Sequence, residues 1–122
     1  MSSDTQKLIE EGARRLLEEL PALRQLKLVV RLDLRAKRDS QTWRIEFPQI
    51  HVRKDPAGDA KVTVLAPRSH FNELAKDGRL QHWRDAYQNG YVRAAGQPEI
   101  IKLIGNVIER HEKRQQVRKR KL

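Results

Sequence analysis

Histidine is the residue type in this chain best able to act as a base or a metal ligand, and the spacing of His51, His70, His82 and His111 suits neither role. A metal site needs ligands that converge, and no two of these stand at i, i+4. Each reads as a surface or capping histidine. Nucleophilic catalysis needs a Ser or Thr beside a base, but the side chains of Ser69 and His70 point different ways at a helix start, so Ser69 reads as an N-cap. The glycines at 58, 78, 90, 96 and 105 are isolated and make no phosphate-cradling loop. Asp33, Glu46, Asp55 and Asp59 fall among Lys and Arg on a polar strand face or in turns, where ion pairing is their plain role. There is no cysteine, hence neither a disulfide nor a thiolate site. These residues assign no catalytic group, metal or cofactor; the expectation is a protein that binds without transforming.

The charge is uneven. Of a formal net +10 over 122 residues, positions 110–121 hold seven Lys/Arg against Glu112 alone, a net +6, and the other residues carry 19 basic and 15 acidic groups, a net +4. The expected organisation is one domain over 1–109 and a basic extension over 110–122. The plain role of Arg110, Lys113, Arg114, Arg118, Lys119, Arg120 and Lys121 is to keep the chain solvated; as a binding surface they would suit an anionic membrane. Nucleic acid is the weaker partner, since no aromatic residue interleaves with the charges to stack on bases. The N-terminus lacks a basic stretch followed by an apolar run, and no apolar run approaches the roughly 20 residues of a membrane span, so the cytoplasm is the default compartment.

The elements that would position a binding site follow from hydrophobic period. Ile9, Ala13, Leu16, Leu17 and Leu20 form one helical stripe over 4–20, with Ser3 and Gln6 as a capping box, Glu11 and Arg15 as an i,i+4 pair, and Pro21 as the stop. This stripe is expected to cover the chain's own sheet, a homodimer seam being the alternative. From Leu26 the period is two: Leu28, Val30, Leu32 and Leu34 alternate with polar residues, and Trp43, Ile45 and Phe47 repeat the pattern after a polar turn, giving a hairpin. Ile50 and Val52 mark a third strand, and Val62 and Val64 a fourth, up to Pro67. Four successive strands predict an antiparallel meander. Two short helices follow, one with Phe71, Leu74 and Ala75 ending at Asp77-Gly78, the other with Leu80, Trp83 and Tyr87; then a small-residue strand near 91–95. A final helix starts at Gly96-Gln97-Pro98-Glu99 with Pro at N1. Its apolar arc holds Ile100, Ile101, Leu103, Ile104, Val107 and Ile108, with Gly105 at the edge, either a point of close backbone or ligand approach or a residue with no special role.

This order brings a resemblance into view. Lys61-Val62-Thr63-Val64, Phe71-x-x-Leu74, Gly78-x-Leu80, Ala86, Gly90, Val92 and Gly96, followed by the helix containing Leu103, resemble the C-terminal half of sterol carrier protein 2 (SCP2) domains. The first four elements match that domain's order too. The resemblance implies an α+β fold with a five-stranded, mostly antiparallel sheet covered on one face by helices. It also implies non-catalytic binding or transfer of a hydrophobic ligand, a fatty acyl, sterol-like or isoprenoid lipid, in a cavity between the two layers. The compact stretch between the fourth strand and the final helix and the basic extension both depart from the family pattern.

The expected ligand wall is the sheet face of Leu28, Val30, Leu32, Trp43, Ile45 and Phe47, the short-helix residues Phe71, Leu74, Trp83 and Tyr87, and Ile101, Ile104 and Ile108 of the last helix. From the residues alone this wall can pack dry or leave a cavity, and the dry core is the simpler expectation; the resemblance favours the cavity. The alternative function is a nucleic-acid accessory acting through the tail.

Overall fold

The computed structural model describes residues 2–77 and 79–121, with side chains at 4–76, 79 and 81–114. Its central strand is β1 (Leu28–Arg35), whose alternation buries Leu28, Val30, Leu32 and Leu34 on one face and turns Val29, Arg31 and Asp33 to the other. β2 (Gln41–Phe47) pairs with it antiparallel, forming the expected hairpin, and sets Phe47 opposite Leu28, Ile45 opposite Val30 and Trp43 opposite Leu32. β3 (His51–Lys54) adds to the outer edge of β2, with Val52 opposite Ile45.

The meander ends there. β4 (Val62–Pro67) does not extend β3; it crosses to the free edge of β1 and pairs parallel with it, Val62 opposite Val30 and Val64 opposite Leu32. β5 (Arg93–Gly96) then pairs antiparallel with β4, giving the order β3-β2-β1-β4-β5. The sheet is five-stranded, mixed and mostly antiparallel, and the expected four-strand antiparallel meander is corrected to three strands. Alternation fixes which face of a strand is buried but carries no information on its neighbour. Placing β4 on β1 pairs a backbone edge of the most buried strand that would otherwise be open.

The crossover is held by charge. Arg44 lies between the buried Trp43 and Ile45, so its side chain stands on the face away from the core. There its guanidinium takes both carboxylate oxygens of Asp59, one pair at 2.9 Å, and its Nε donates to Glu46 Oε1 at 3.0 Å. Those hydrogen bonds from Arg44 hold the Asp59 carboxyl below its ordinary value of 3.8 and raise the guanidinium. Gly96 seals the other end. At φ +144, a Cβ here would fall on the Lys61 carbonyl oxygen and against Val62 Cα, so the β4–β5 pairing requires a residue without a side chain.

Helices cover the opposite face. α1 (Ser2–Glu19) buries Ile9, Ala13 and Leu17, and Leu20 just beyond it, within the chain's own core, which is where the stripe was expected. It is followed by a 3-10 helix, Pro21–Gln25. Gln6 Nε2 donates to the Val52 carbonyl at 2.9 Å, tying α1 to β3; the capping box expected between Gln6 and Ser3 falls outside the described side chains. Arg15 does not pair with Glu11. It donates to the carbonyls of Lys76 at 2.6 Å and Ala75 at 3.3 Å, satisfying the C-terminal end of α2 (Arg68–Asp77). Ser69 lies inside the first turn of α2 rather than ahead of it, so it is not the N-cap. Gly12 lets α1 approach α2 closely, a Cβ there standing 3.4 Å from that of Ala75. The expected stop at Asp77-Gly78 lies outside the described residues. α3 (Leu80–Gln88) opens with His82 Nδ1 accepting from the Arg79 N–H at 2.9 Å, a capping role for that histidine. α4 (Pro98–Lys121) is one helix from its Pro start through the basic residues. No described helix is long and apolar enough to cross a membrane.

Replacing Gly96 by Ala should cost about 2 kcal/mol of unfolding free energy, read by urea denaturation. Because the folded Asp59 carboxyl is held low, its contribution is complete above the ordinary carboxylate value and is lost as pH falls through the lowered folded value. Stability of the native chain should therefore fall on acidification below about pH 4, and Asp59→Asn should flatten that acid limb.

Candidate apolar ligand site

The residues expected to wall a ligand divide into two groups. Leu28, Val30, Leu32, Trp43, Ile45, Phe71 and Leu74 are buried and belong to one core cluster with Ile9, Leu34, Val52 and Val62. Trp43 is 1% exposed, and its Nε1 donates to Gln41 Oε1 at 3.1 Å, so the ring is both enclosed and satisfied. The second group is half-buried: Phe47, Trp83, Ile101, Ile104 and Ile108. Trp83 meets Phe71 edge-on at 5.7 Å between centroids and fastens α3 to α2. Tyr87 stands 53% exposed on α3, and Leu80 falls outside the described side chains.

The half-buried group gathers under α4. A second apolar cluster, Leu17, Leu20 and Leu23, lies where α1 runs into the 3-10 helix. Ile100, Ile101 and Ile104 of α4 rest on the sheet cluster, and Ile104, Val107 and Ile108 rest on the second one. Phe47, Ile50 and Ile104 touch both clusters, and none of the three is fully buried. They mark an apolar seam roofed by α4, open enough that none of the helix's six arc residues is buried and Leu103 is 40% exposed. Gly105 lies in open space, so no other part of the described chain approaches it closely. Beyond the seam, Arg84 on α3 pairs with Glu112 on α4, and these two helices are thereby joined over the apolar contacts.

Sequence reasoning missed Ile50 and Leu23 as members of this seam. Ile50 sits in the link between β2 and β3 and Leu23 in a 3-10 helix, neither of which carries a long apolar period. Pro21 followed by an isolated Leu was the available signal for a tight turn with one inward side chain.

Elsewhere the polar chemistry is dispersed. Among the described residues no group of three His, Asp or Glu could hold a metal ion. His70 stacks on Tyr91 at 4.6 Å, and Asp33 takes Arg31 and Thr42 at 3.0 and 2.9 Å. Of the basic extension, Lys113 pairs with Glu109 at 3.5 Å; the side chains of Arg118, Lys119, Arg120 and Lys121 fall outside those described.

No family model and no curated protein sequence matches the chain. Solved structures do. The crystal structure of sterol carrier protein 2 like 2 from Aedes aegypti superposes with a TM-score of 0.58 at 16% identity, over 86% of this chain and 97% of that one. The fold is that of sterol carrier protein 2 domains. A solution structure of the palmitated Aedes aegypti protein matches the SCP2-like chain at TM-score 0.57 and 17% identity, over 82% of this chain and 93% of that one. A ubiquinone synthesis protein, UbiJ-SCP2, matches at 0.51 and 24% identity, over 92% and 94%. The five-stranded sheet with helices on one face that the sequence resemblance implied is therefore found both in this chain's own topology and in its structural neighbours.

The two groups of wall residues should separate on truncation. Trp43→Ala should destabilise the SCP2-like domain by about 4 kcal/mol, as for a fully buried large side chain, whereas Ile104→Ala should cost about 1 kcal/mol. Thermal and urea unfolding of both variants measures the difference.

Proposed function

We propose that this chain binds the hydrocarbon part of a lipid, a fatty acyl, sterol-like or isoprenoid chain, in the seam beneath α4, and carries it without chemical change. The observation that supports this most is the trio Phe47, Ile50 and Ile104, shared by two apolar clusters and fully buried in neither. A side chain left half-exposed at such a junction forgoes about 1 kcal/mol of burial, which an inserted apolar ligand would recover. The likeness to a palmitated SCP2-like protein points the same way. On this reading Ile101, Ile104 and Ile108 form the roof, Phe47 the floor and Trp83 the α3 side, while the buried sheet residues from Leu28 to Ile45 back the site.

Binding belongs to residues 1–109, and the basic half of α4 from Arg110 onward would meet the anionic membrane from which the ligand is drawn. α4 is one continuous helix, so its roof residues and its basic half lie on the same element.

A fluorescent fatty acid should bind the purified chain saturably and be displaced by palmitate, and native mass spectrometry should find a copurifying lipid. Ile104→Glu, which puts a charge in the seam, should weaken probe binding by at least about tenfold with the fold retained by circular dichroism. A wild-type chain that takes up no probe and carries no lipid would refute the reading.

A further inference from the structure

β1 and β4 run parallel and in register to their ends, Arg35 opposite Pro67, so both carboxyl ends open on the same edge of the sheet. The chain leaves them in different directions. From β1 it turns back through 36–40 into antiparallel β2; from β4 it passes directly into α2. Diverging exits from neighbouring parallel strands leave a crevice outside their carboxyl ends, a position at which α/β sheets bind ligands. Here the crevice is an open depression of about 630 Å³ lined by Arg35, Ala36, Lys37, Arg68, Ser69 and Asn72.

We propose that this depression is a binding site for a phosphate group, made by Arg35 and Lys37 from the end of β1 and by Arg68 and Ser69 from the start of α2. Three of its six lining residues are cations and none is a carboxylate. Arg68 is partly neutralised, its Nη1 donating to Asp39 Oδ2 at 2.8 Å. Arg35 and Lys37 have no carboxylate within 4.0 Å among the described residues, so their charge faces the depression uncompensated.

The donor types suit an oxyanion. Two guanidinium groups offer paired N–H donors, Lys37 a point charge, Ser69 an exposed hydroxyl, and the first turn of α2 has leading N–H groups without intrahelical acceptors. The 36–40 turn is closed on itself, Ser40 Oγ accepting from the Ala36 N–H at 3.3 Å and donating to its carbonyl at 3.1 Å, which fixes the reach of Lys37. Asn72 carries the one buried side-chain oxygen without a hydrogen-bond partner among the described residues. That oxygen is shut off from solvent, so a phosphate in the open depression would not reach it, and the site rests on the cations and Ser69. A divalent cation is disfavoured by the absence of carboxylates from the lining, and a hydrocarbon chain by the charges. No aromatic side chain lines the depression, so it offers a nucleobase nothing to stack on.

The site is independent of the apolar reading. Phe47, opposite Leu28, lies at the other end of β1, seven residue steps or roughly 23 Å away. The phosphate can belong to a soluble phosphomonoester or to a phosphomonoester headgroup in a bilayer. The test is an NMR amide titration of the full chain with inorganic phosphate at ionic strength held constant with chloride. It is run beside flotation with phosphatidylcholine vesicles, with and without phosphatidic acid. Saturable shifts confined to residues 35–37 and 68–72, weakened about tenfold in Arg35→Gln/Lys37→Gln as expected for losing a charge-assisted hydrogen bond, establish the site. Arg110→Gln/Arg114→Gln, on α4, should leave them unchanged. If phosphatidic acid adds nothing to flotation, the source is a soluble phosphate; if it does and Arg35→Gln/Lys37→Gln abolishes the gain, the source is the headgroup. Shifts that do not saturate, or that persist undiminished in a folded Arg35→Gln/Lys37→Gln chain, overturn the proposal.

Discussion

Everything in this fold depends on β1 being paired along both edges. Its buried residues Leu28, Val30, Leu32 and Leu34 are the middle row of the sheet's apolar face, and each meets a neighbour from β2 on one side; from Val30 onward β4 supplies another on the other. The antiparallel pairing is local and needs only the 36–40 turn. The parallel pairing is not, because β4 must be brought past β2 and β1 from the far edge. The segment that does so is anchored by the bidentate Arg44–Asp59 contact and by the Lys61 N–H donating to the Val29 carbonyl at 3.3 Å.

That arrangement assigns different chemistry to the two ends of β1. At the Leu28 end, Phe47 and Ile50 meet the cluster of Leu17, Leu20 and Leu23, and α4 comes down over the junction without burying it. At the Arg35 end, two strand termini and a helix start bring cations together around a depression. One end is apolar and the other cationic, and the length of β1 separates them. The helical layer reflects the same division: α1 and α2 are locked by Gly12 against Ala75 and by Arg15 on the α2 carbonyls, whereas α3 and α4 reach the core through half-buried side chains and are joined to each other by Arg84 and Glu112. Local opening is cheapest where burial is least.

Electrostatics on this molecule are mostly a matter of placement. The outer sheet face pairs its charges, Arg31 with Asp33 and Arg44 with Glu46 and Asp59, and so carries little net field. The excess positive charge stays on the second half of α4 and at the Arg35 end of β1, which is why the total of +10 says less than its distribution.

The elements themselves were legible because their signals are local. Period two from Leu28 to Leu34 and from Trp43 to Phe47, the helical stripe ending at Leu20, and Pro98 at a helix start each follow from a few neighbouring residues. The hairpin, and the burial of its inward-facing residues, came with them. Tertiary structure alone decided which edge β4 joins, since alternation looks the same beside any partner strand. It alone decided how deeply α4 is covered, since an apolar arc does not say whether its neighbour reaches it. The Arg44–Asp59 anchor, the Gly96 contact with Lys61 and the meeting of Arg35, Lys37 and Arg68 join residues 15 to 35 positions apart, beyond the reach of any local pattern. They exist because the chain carries β4 to a place between β1 and β5.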